Sequence, residues 1–509
     1  MNHVAKRTVT RLARNYRSQP LRPSLWRCSS TFADREWSTP LAKTLAEAIK
    51  VESPTTGSIS IAAFMRQVLT SPEGGYYTTR SGGTEVFGKK GDFITSPEIT
   101  QVFGELVGIW TVAEWIAQGR KRTGIELMEV GPGKGTLMDD ILRTIGNFKS
   151  FSSAIEAIYL VEASPALREI QKQLLCGDAP MEETEIGHKS ISKHIGKPVI
   201  WVEDIRLLPH SEDKTPFIFA HEFFDALPIH AFQSVAPSPE QQPKEINTPT
   251  GPIKLDQPQK PATTPQWREL MVSLNPKAVV DNIKDEPEFK LTLAKASTPS
   301  SLVIPEISDR YKALKSLPGS TIEVSPESRI YAAEFARRIG GSSQTKVAPT
   351  TPGSRASSAV PMMPLKRKPS GAALIMDYGT SDTIPVNSLR GIKQHQKVPP
   401  LSSPGQVDVS ADVDFTALAE AAIDASKGVE VHGPVEQGDF LLSLGIAERA
   451  EQLLKNIKDE ERRKNLESGW KRLVDKGGNG MGKIYKVLAI IPENDGKRRP
   501  VGLGGGISL

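Results

Sequence analysis

One stretch limits what this chain can fold into more than any other. Ile125-Glu-Leu-Met-Glu-Val-Gly-Pro-Gly-Lys-Gly-Thr136 is an apolar run that ends in three glycines at alternate positions and leads straight into a helical pattern. It reads as strand, tight turn, helix. Glycine reaches positive φ without steric cost and lets a ligand approach the main chain, while a new helix presents free N–H groups. Leu137, Ile141, Leu142 and Ile145 fall at helical spacing, so that helix packs on a sheet and aims its N-terminus at whatever lies above the glycines.

Ala157-Ile-Tyr-Leu-Val-Glu162 is a second short apolar run that ends in an acid. In open α/β sheets ligands sit beyond the carboxyl ends of the strands, where such an acid accepts hydrogen bonds from ribose hydroxyls, and Glu162 is placed for that. Two nucleoside cofactor classes suit this layout. A dinucleotide fold uses GxGxxG, a spacing this chain lacks. Glu129, Gly131, Gly133 and Gly135 instead resemble the first motif of class I S-adenosylmethionine-dependent methyltransferases, which implies a turn lying under the methionine part of the cofactor. By the same resemblance Pro198-Val-Ile-Trp-Val-Glu-Asp204 is a third strand, with Asp204 as the adenine contact; a solvated loop acid is the other reading of that residue.

Composition removes several other classes. The 509 residues are 38% hydrophobic and 24% charged, enough for a sizeable core in an ordinary globular chain. A formal charge of +5 is small for this length and gives no case for a nucleic-acid surface. With only Cys28 and Cys176, neither a disulfide framework nor a cysteine metal site can be built, and the histidines show no HExxH spacing. No apolar run reaches the roughly 18 to 20 residues that span a bilayer. The N-terminus is different in kind. Lys6, Arg7, Arg11, Arg14, Arg17, Arg22 and Arg27 precede the first acid, Asp34, which is the composition of a mitochondrial presequence; residues 1–34 are read so, with cleavage expected between Arg27 and Arg35.

Residues 41–120 carry helical patterns, and Ser96-Pro-Glu98 reads as a helix start with Ser96 as the capping hydroxyl. Here the likeness becomes specific. Gly74-Gly-Tyr-Tyr77, Gly91-Asp-Phe-Ile-Thr-Ser-Pro-Glu98, the glycine turn, Tyr159-Leu-Val-Glu-Ala-Ser164 and Ala220-His-Glu-Phe-Phe-Asp-Ala-Leu-Pro-Ile-His230 together resemble the mitochondrial protein arginine methyltransferase family that assists complex I assembly. The resemblance implies a class I fold, S-adenosyl-L-methionine as cofactor, Thr95 and Ser96 among the cofactor-binding residues, and a core quinone-module subunit of complex I as partner. It also implies symmetric dimethylation of an arginine in the mitochondrial matrix. An assembly factor that binds the cofactor without essential catalysis is the alternative.

A fourth strand over Pro216–His221 brings His221, Glu222 and Asp225 to the same edge as the glycines. Paired carboxylates can hold a guanidinium bidentately and receive its proton after transfer, so Glu222 and Asp225 are candidates for the clamp and His221 for a proton acceptor. Helix capping by Asp225 and a satisfied buried imidazole at His221 are the plainer readings. General protein arginine methyltransferases pair two glutamates and carry a THW-like segment; here the second acid is an aspartate and that segment is absent.

The remaining expectations concern organisation. The core is read as residues 121–233 and 371–495, interrupted by disordered insertions at 234–266 and 341–370 that flank an accessory lobe at 267–340. Gly371–Tyr378 is a buried fifth strand ending in Asp377 and Tyr378. Asp412 and Asp414 follow on a loop that can cover the acceptor, with helix capping the plainer use of Asp414, and Val398-Pro399 stands where the family often shows His-Asp. Gly428–His432 and Lys483–Ile490 are read as a short antiparallel hairpin at the sheet edge, and residues 496–509 as a flexible tail.

Overall fold

The computed structural model describes residues 36–52, 57–79, 94–236, 245–248, 251–254, 264–279, 281, 283, 286–341, 366 and 368–504. The presequence and most of the second insertion lie outside them. Five parallel strands form the centre of the main sheet: β1 (Ile125–Val130), β2 (Ile155–Val161), and, after the short β3 (Glu182–Thr184) and β4 (Gly187–Ile191), β5 (Pro198–Val202), β6 (Thr215–His221) and β7 (Ala372–Thr380). A two-residue strand, β8 (Val413–Asp414), then β9 (Val429–Glu436) and β10 (Tyr485–Pro492) complete it. The lateral order is β9-β10-β7-β6-β1-β2-β5-β4-β3, with β8 beside β7; β10 runs antiparallel to both β7 and β9. This is the mostly parallel, Rossmann-like α/β sheet with an antiparallel C-terminal pair that the glycine motif predicts. Strand order reverses at β1, which opens a crevice at its carboxyl end.

Period-two alternation sorts the strand residues onto two buried faces. Leu127, Leu160, Phe219, Leu374 and Val487 pack on one side with Leu137, Ile141 and Leu142 of the helix Thr136–Ile145. Met128, Val161, Ile218, Ile375 and Leu488 pack on the other with Phe335 and Ile339 of the helix Pro326–Gly340. All these side chains are buried, and truncating one such as Ile375 costs about 2–5 kcal/mol.

Four expectations are corrected here. The hairpin is not short: β9 and β10 have eight residues each, enclose three helices between Gln437 and Val474, and put β10 inside the sheet rather than at its rim. The accessory lobe has other bounds, because Pro326–Gly340 belongs to the main core. Gln266–Leu274, Phe289–Leu293 and Thr321–Val324 instead join Ser58–Ser60 and His230–Val235 in a separate antiparallel sheet around Phe232, Trp267 and Tyr311. Within the first insertion Glu245–Thr248 and Gly251–Lys254 pair as two strands. The tail is not loose up to Gly504: Leu503 is buried and the Trp110 indole donates to the Val501 carbonyl at 3.2 Å. Among the described residues no helix is long and apolar enough to cross a membrane.

Candidate active site

At the carboxyl edge of β1, β2, β6 and β7 lies a cavity of about 700 Å³, within the range of small-molecule sites. Gly131, Gly133 and Gly135 have φ of +63°, +54° and +85°, the left-handed region that only glycine enters cheaply. A Cβ on Gly131 would sit 2.6 Å from the Phe223 ring, so that position has no room for a side chain. Gly131 N–H donates to the Val161 carbonyl at 3.1 Å, tying the turn to β2. Gly135 has no capping side chain, which leaves the first N–H groups of the helix Thr136–Ile145 without a side-chain partner at the cavity end.

Two acids frame this turn. Glu129 is buried, its Oε2 lacks any hydrogen-bond partner, and burial with the nearby Glu162 charge pushes its carboxyl up to about 8. Glu162 is raised to about 7 by burial, against hydrogen bonds from the Ser164 N–H at 2.8 Å and the Gln171 amide at 3.2 Å. Gln171 was not foreseen. Its amide also donates to the Gly133 carbonyl at 2.6 Å and its oxygen accepts from the Trp201 indole at 2.9 Å, so one buried side chain locks turn, acid and β5 together. The signal available was modest: a polar residue on the inward face of the helix Pro165–Cys176.

The orphaned Glu129 oxygen, the glycine cradle and the uncapped helix end fit a ligand with a cationic ammonium and ribose hydroxyls. Glu129 and the turn suit the ammonium end, and Glu162 suits the hydroxyls. Asp204 does not reach this cavity. It caps the turn Ile205–Leu207 and pairs with the exposed Arg206, while its neighbour Glu203, largely exposed and paired with Arg168 at 3.3 Å, borders the cavity. Thr95 lines the cavity, but Ser96 does not, and Ser96 is not the cap. Thr95 occupies that position with its N–H on Glu98 at 3.2 Å, the short helix Ser96–Ile99 breaks at Thr100, and Thr100 caps the long helix Gln101–Ala117. Glu98 also pairs with Lys134 of the glycine turn at 3.6 Å, so the N-terminal segment is fastened over the site.

His221, Glu222 and Asp225 line the opposite end. Glu222 sits at φ +49°, a strained backbone for a non-glycine residue and one that clusters at functional sites. Asp377 holds this bend: its carboxylate accepts the N–H groups of Phe223 at 3.0 Å, Phe224 at 2.8 Å and Tyr378 at 2.8 Å, and burial beside Asp225 holds its carboxyl far above the usual range. Burial and the Asp225 charge raise Glu222 to about 8. Burial also raises Asp225, to about 6, with the Arg390 guanidinium opposing. Desolvation lowers His221 to about 3, so its imidazole is neutral at physiological pH; its Nε2 has no hydrogen-bond partner and lies 3.6 Å from Glu222 Oε1. Asp412 pairs with Arg390 and Asp414 with Arg310 at 3.0 Å, Asp414 also capping the helix Phe415–Ala425; neither lines the cavity. Tyr77, Tyr378 and Asp408 do line it, Tyr77 donating to Asp408 at 2.9 Å. Carboxylates dominate this lining, and its lysine is already paired. The field favours cations.

Residues 106–435 match the family described as "Putative S-adenosyl-L-methionine-dependent methyltransferase". A Rattus norvegicus relative named "Protein arginine methyltransferase NDUFAF7, mitochondrial" is 33% identical over 99% of this chain and 95% of its own. The Homo sapiens protein of that name is 32% identical over 89% of this chain and 84% of its own. A crystal structure of a COG1565 superfamily member, described as a likely methyl transferase from Burkholderia thailandensis bound to S-adenosyl-homocysteine, shares the fold. Its TM-score is 0.59 and its identity 19%, covering 94% of this chain and 95% of that one.

Proposed function

From the premise that this chain belongs to the mitochondrial S-adenosyl-L-methionine-dependent protein arginine methyltransferase family, we propose that it methylates an arginine of a core quinone-module subunit of complex I in the matrix, yielding symmetric dimethylarginine and supporting assembly of that complex. The observation that carries this reading is the convergence of Gly133, Glu162 and Glu222 on one acid-lined cavity. The basic, acid-poor N-terminus supports the matrix address.

The cofactor supplies an electrophilic methyl on a sulfonium. Glu129, the glycine turn and Glu162 hold it, and the tyrosines and the fastened Thr95–Glu98 segment exclude water, so that alignment does most of the catalytic work. The acceptor guanidinium is protonated and its nitrogen lone pairs are delocalised. Asp225 and Glu222 grip it through charge-assisted hydrogen bonds, localising positive charge away from the attacking nitrogen. Glu222 takes the proton released on transfer, since a carboxyl near 8 is matched to that task and an imidazole near 3 is not. Incubation with labelled S-adenosylmethionine and mitochondrial extract, followed by mass spectrometry, tests the assignment. Label on an arginine of a complex I subunit is the expected result, and label confined to other residues or other proteins refutes it.

A further inference from the structure

Glu222 is held from behind by a residue more than two hundred and fifty positions away. The Tyr485 hydroxyl donates to Glu222 Oε1 at 2.9 Å across a sequence separation of 263. Tyr485 opens β10, pairs in register with Tyr378 of β7, and is buried, with its ring 4.1 Å from that of Tyr378 and parallel to His221 at 6.4 Å. Two rings flank it, and its hydroxyl, which also lies within hydrogen-bond reach of the Tyr378 hydroxyl, donates to one carboxylate oxygen. The groups facing Glu222 are otherwise discouraging for a negative charge. Asp225, Asp377 and Glu98 are acids, His221 is neutral, and Tyr378 brings a second phenol. Support for the ionised form comes from the Tyr485 hydroxyl and the Ser96 N–H. The Tyr485 donor therefore favours the ionised Glu222 that can grip a cation, and its loss favours the protonated form.

We propose that Tyr485 is the positioning residue of the transfer reaction. It occupies one oxygen of Glu222, turns the other toward the acceptor guanidinium, and stabilises the carboxylate that receives the proton. The inference rests on the role of Glu222 stated above. The placement of β10 fits that role: Tyr485 pairs with Tyr378 of β7, and the next residue, Lys486, pairs with both β7 and β9.

The test uses the full-length protein, tritiated S-adenosylmethionine and mitochondrial extract as the source of acceptor. Tyr485→Phe keeps the ring and removes the donor. Incorporation at saturating cofactor should fall roughly 10- to 100-fold, the size of one lost hydrogen bond to a charged group. The rise of rate with pH should move about one unit to the alkaline side, while cofactor affinity by calorimetry stays within about twofold. Tyr485→3-fluorotyrosine, a stronger donor in the same packing, should move the profile to the acid side; it also serves if the phenylalanine variant does not fold. A wild-type rate, or a lowered rate with an unmoved profile, overturns the proposal, because lost packing alone gives the latter. Glu222→Gln runs in parallel. Full incorporation there removes the reading of Glu222 itself, whereas a dead Glu222→Gln beside a wild-type Tyr485→Phe removes only the role of Tyr485.

Discussion

At its cofactor end the cavity is made by neighbours in sequence. Gly131 to Gly135 and Glu162 lie on two successive strand-helix turns, with Gln171 on the helix after the second, and they are joined by hydrogen bonds between residues 9 to 38 positions apart. At the acceptor end the parts come from everywhere. Tyr77 meets Asp408 across 331 positions, Phe224 meets Asp377 across 153 and Glu222 meets Tyr485 across 263. One end is fixed by backbone conformation and the other by closure of the whole sheet. The first should therefore fail abruptly when a single dihedral is disallowed, and the second should degrade in orientation while the cofactor still binds.

Gly133→Val is the severest way to break that contrast. A β-branched side chain at φ +54° is sterically forbidden without rearranging the turn, so cofactor affinity should drop by about a hundredfold or more in calorimetry. Wild-type affinity in this variant would mean that the turn is not the cradle. Next comes Glu222→Gln, which keeps shape and removes charge at the other end. Turnover should fall by about 10² to 10⁴ with cofactor binding intact, and equal loss of both would show that the two ends are one unit.

A third experiment separates binding from stability. Glu129 titrates near 8 in the fold, above its ordinary value of 4.5, so between these limits the folded chain holds a proton that the unfolded chain has released. The stabilisation is complete below pH 4.5 and is lost as pH rises toward 8. The thermal midpoint of the cofactor-free protein should fall from pH 5 to pH 8.5, and Glu129→Gln should flatten that slope by a few degrees while weakening cofactor binding. A slope equally steep in the variant would remove Glu129 from the cause. The smallest effect belongs to Asp204→Asn. Its partner Arg206 is exposed, pairs of that kind contribute about 0–1 kcal/mol, and cofactor affinity should stay within about twofold. A tenfold loss would place Asp204 in the site after all.

The same contrast explains what could be read from the sequence. Strand alternation, the glycine spacing and the acid ending β2 are local patterns, and they lead directly to the parallel sheet and its crevice. That Glu203 rather than Asp204 borders the cavity could not be read, because both lie past the end of β5, in a turn whose course strand alternation does not fix. Thr95 rather than Ser96 as cap is an equally small shift, since both residues can cap and only the geometry of the chain entering the helix decides between them. Asp377 was visible as an acid ending a strand, but its service to four backbone N–H groups was not, because no pattern encodes which loop a long insertion brings alongside. Tyr485 left no trace beyond its place at the start of a strand. The exchange of Pro326–Gly340 from lobe to main core has a similar origin: its apolar face fits either surface, and only the closed sheet shows which one takes it.

The place of β10 also sets an order of events. A polypeptide delivered N-terminus first, whether from a ribosome or through a membrane pore, presents the glycine turn long before residue 485 arrives. Until that late segment takes its place between β7 and β9, Glu222 lacks the hydroxyl that donates to it. A chain cut short of residue 485 therefore lacks both the strand between β7 and β9 and the donor that faces Glu222.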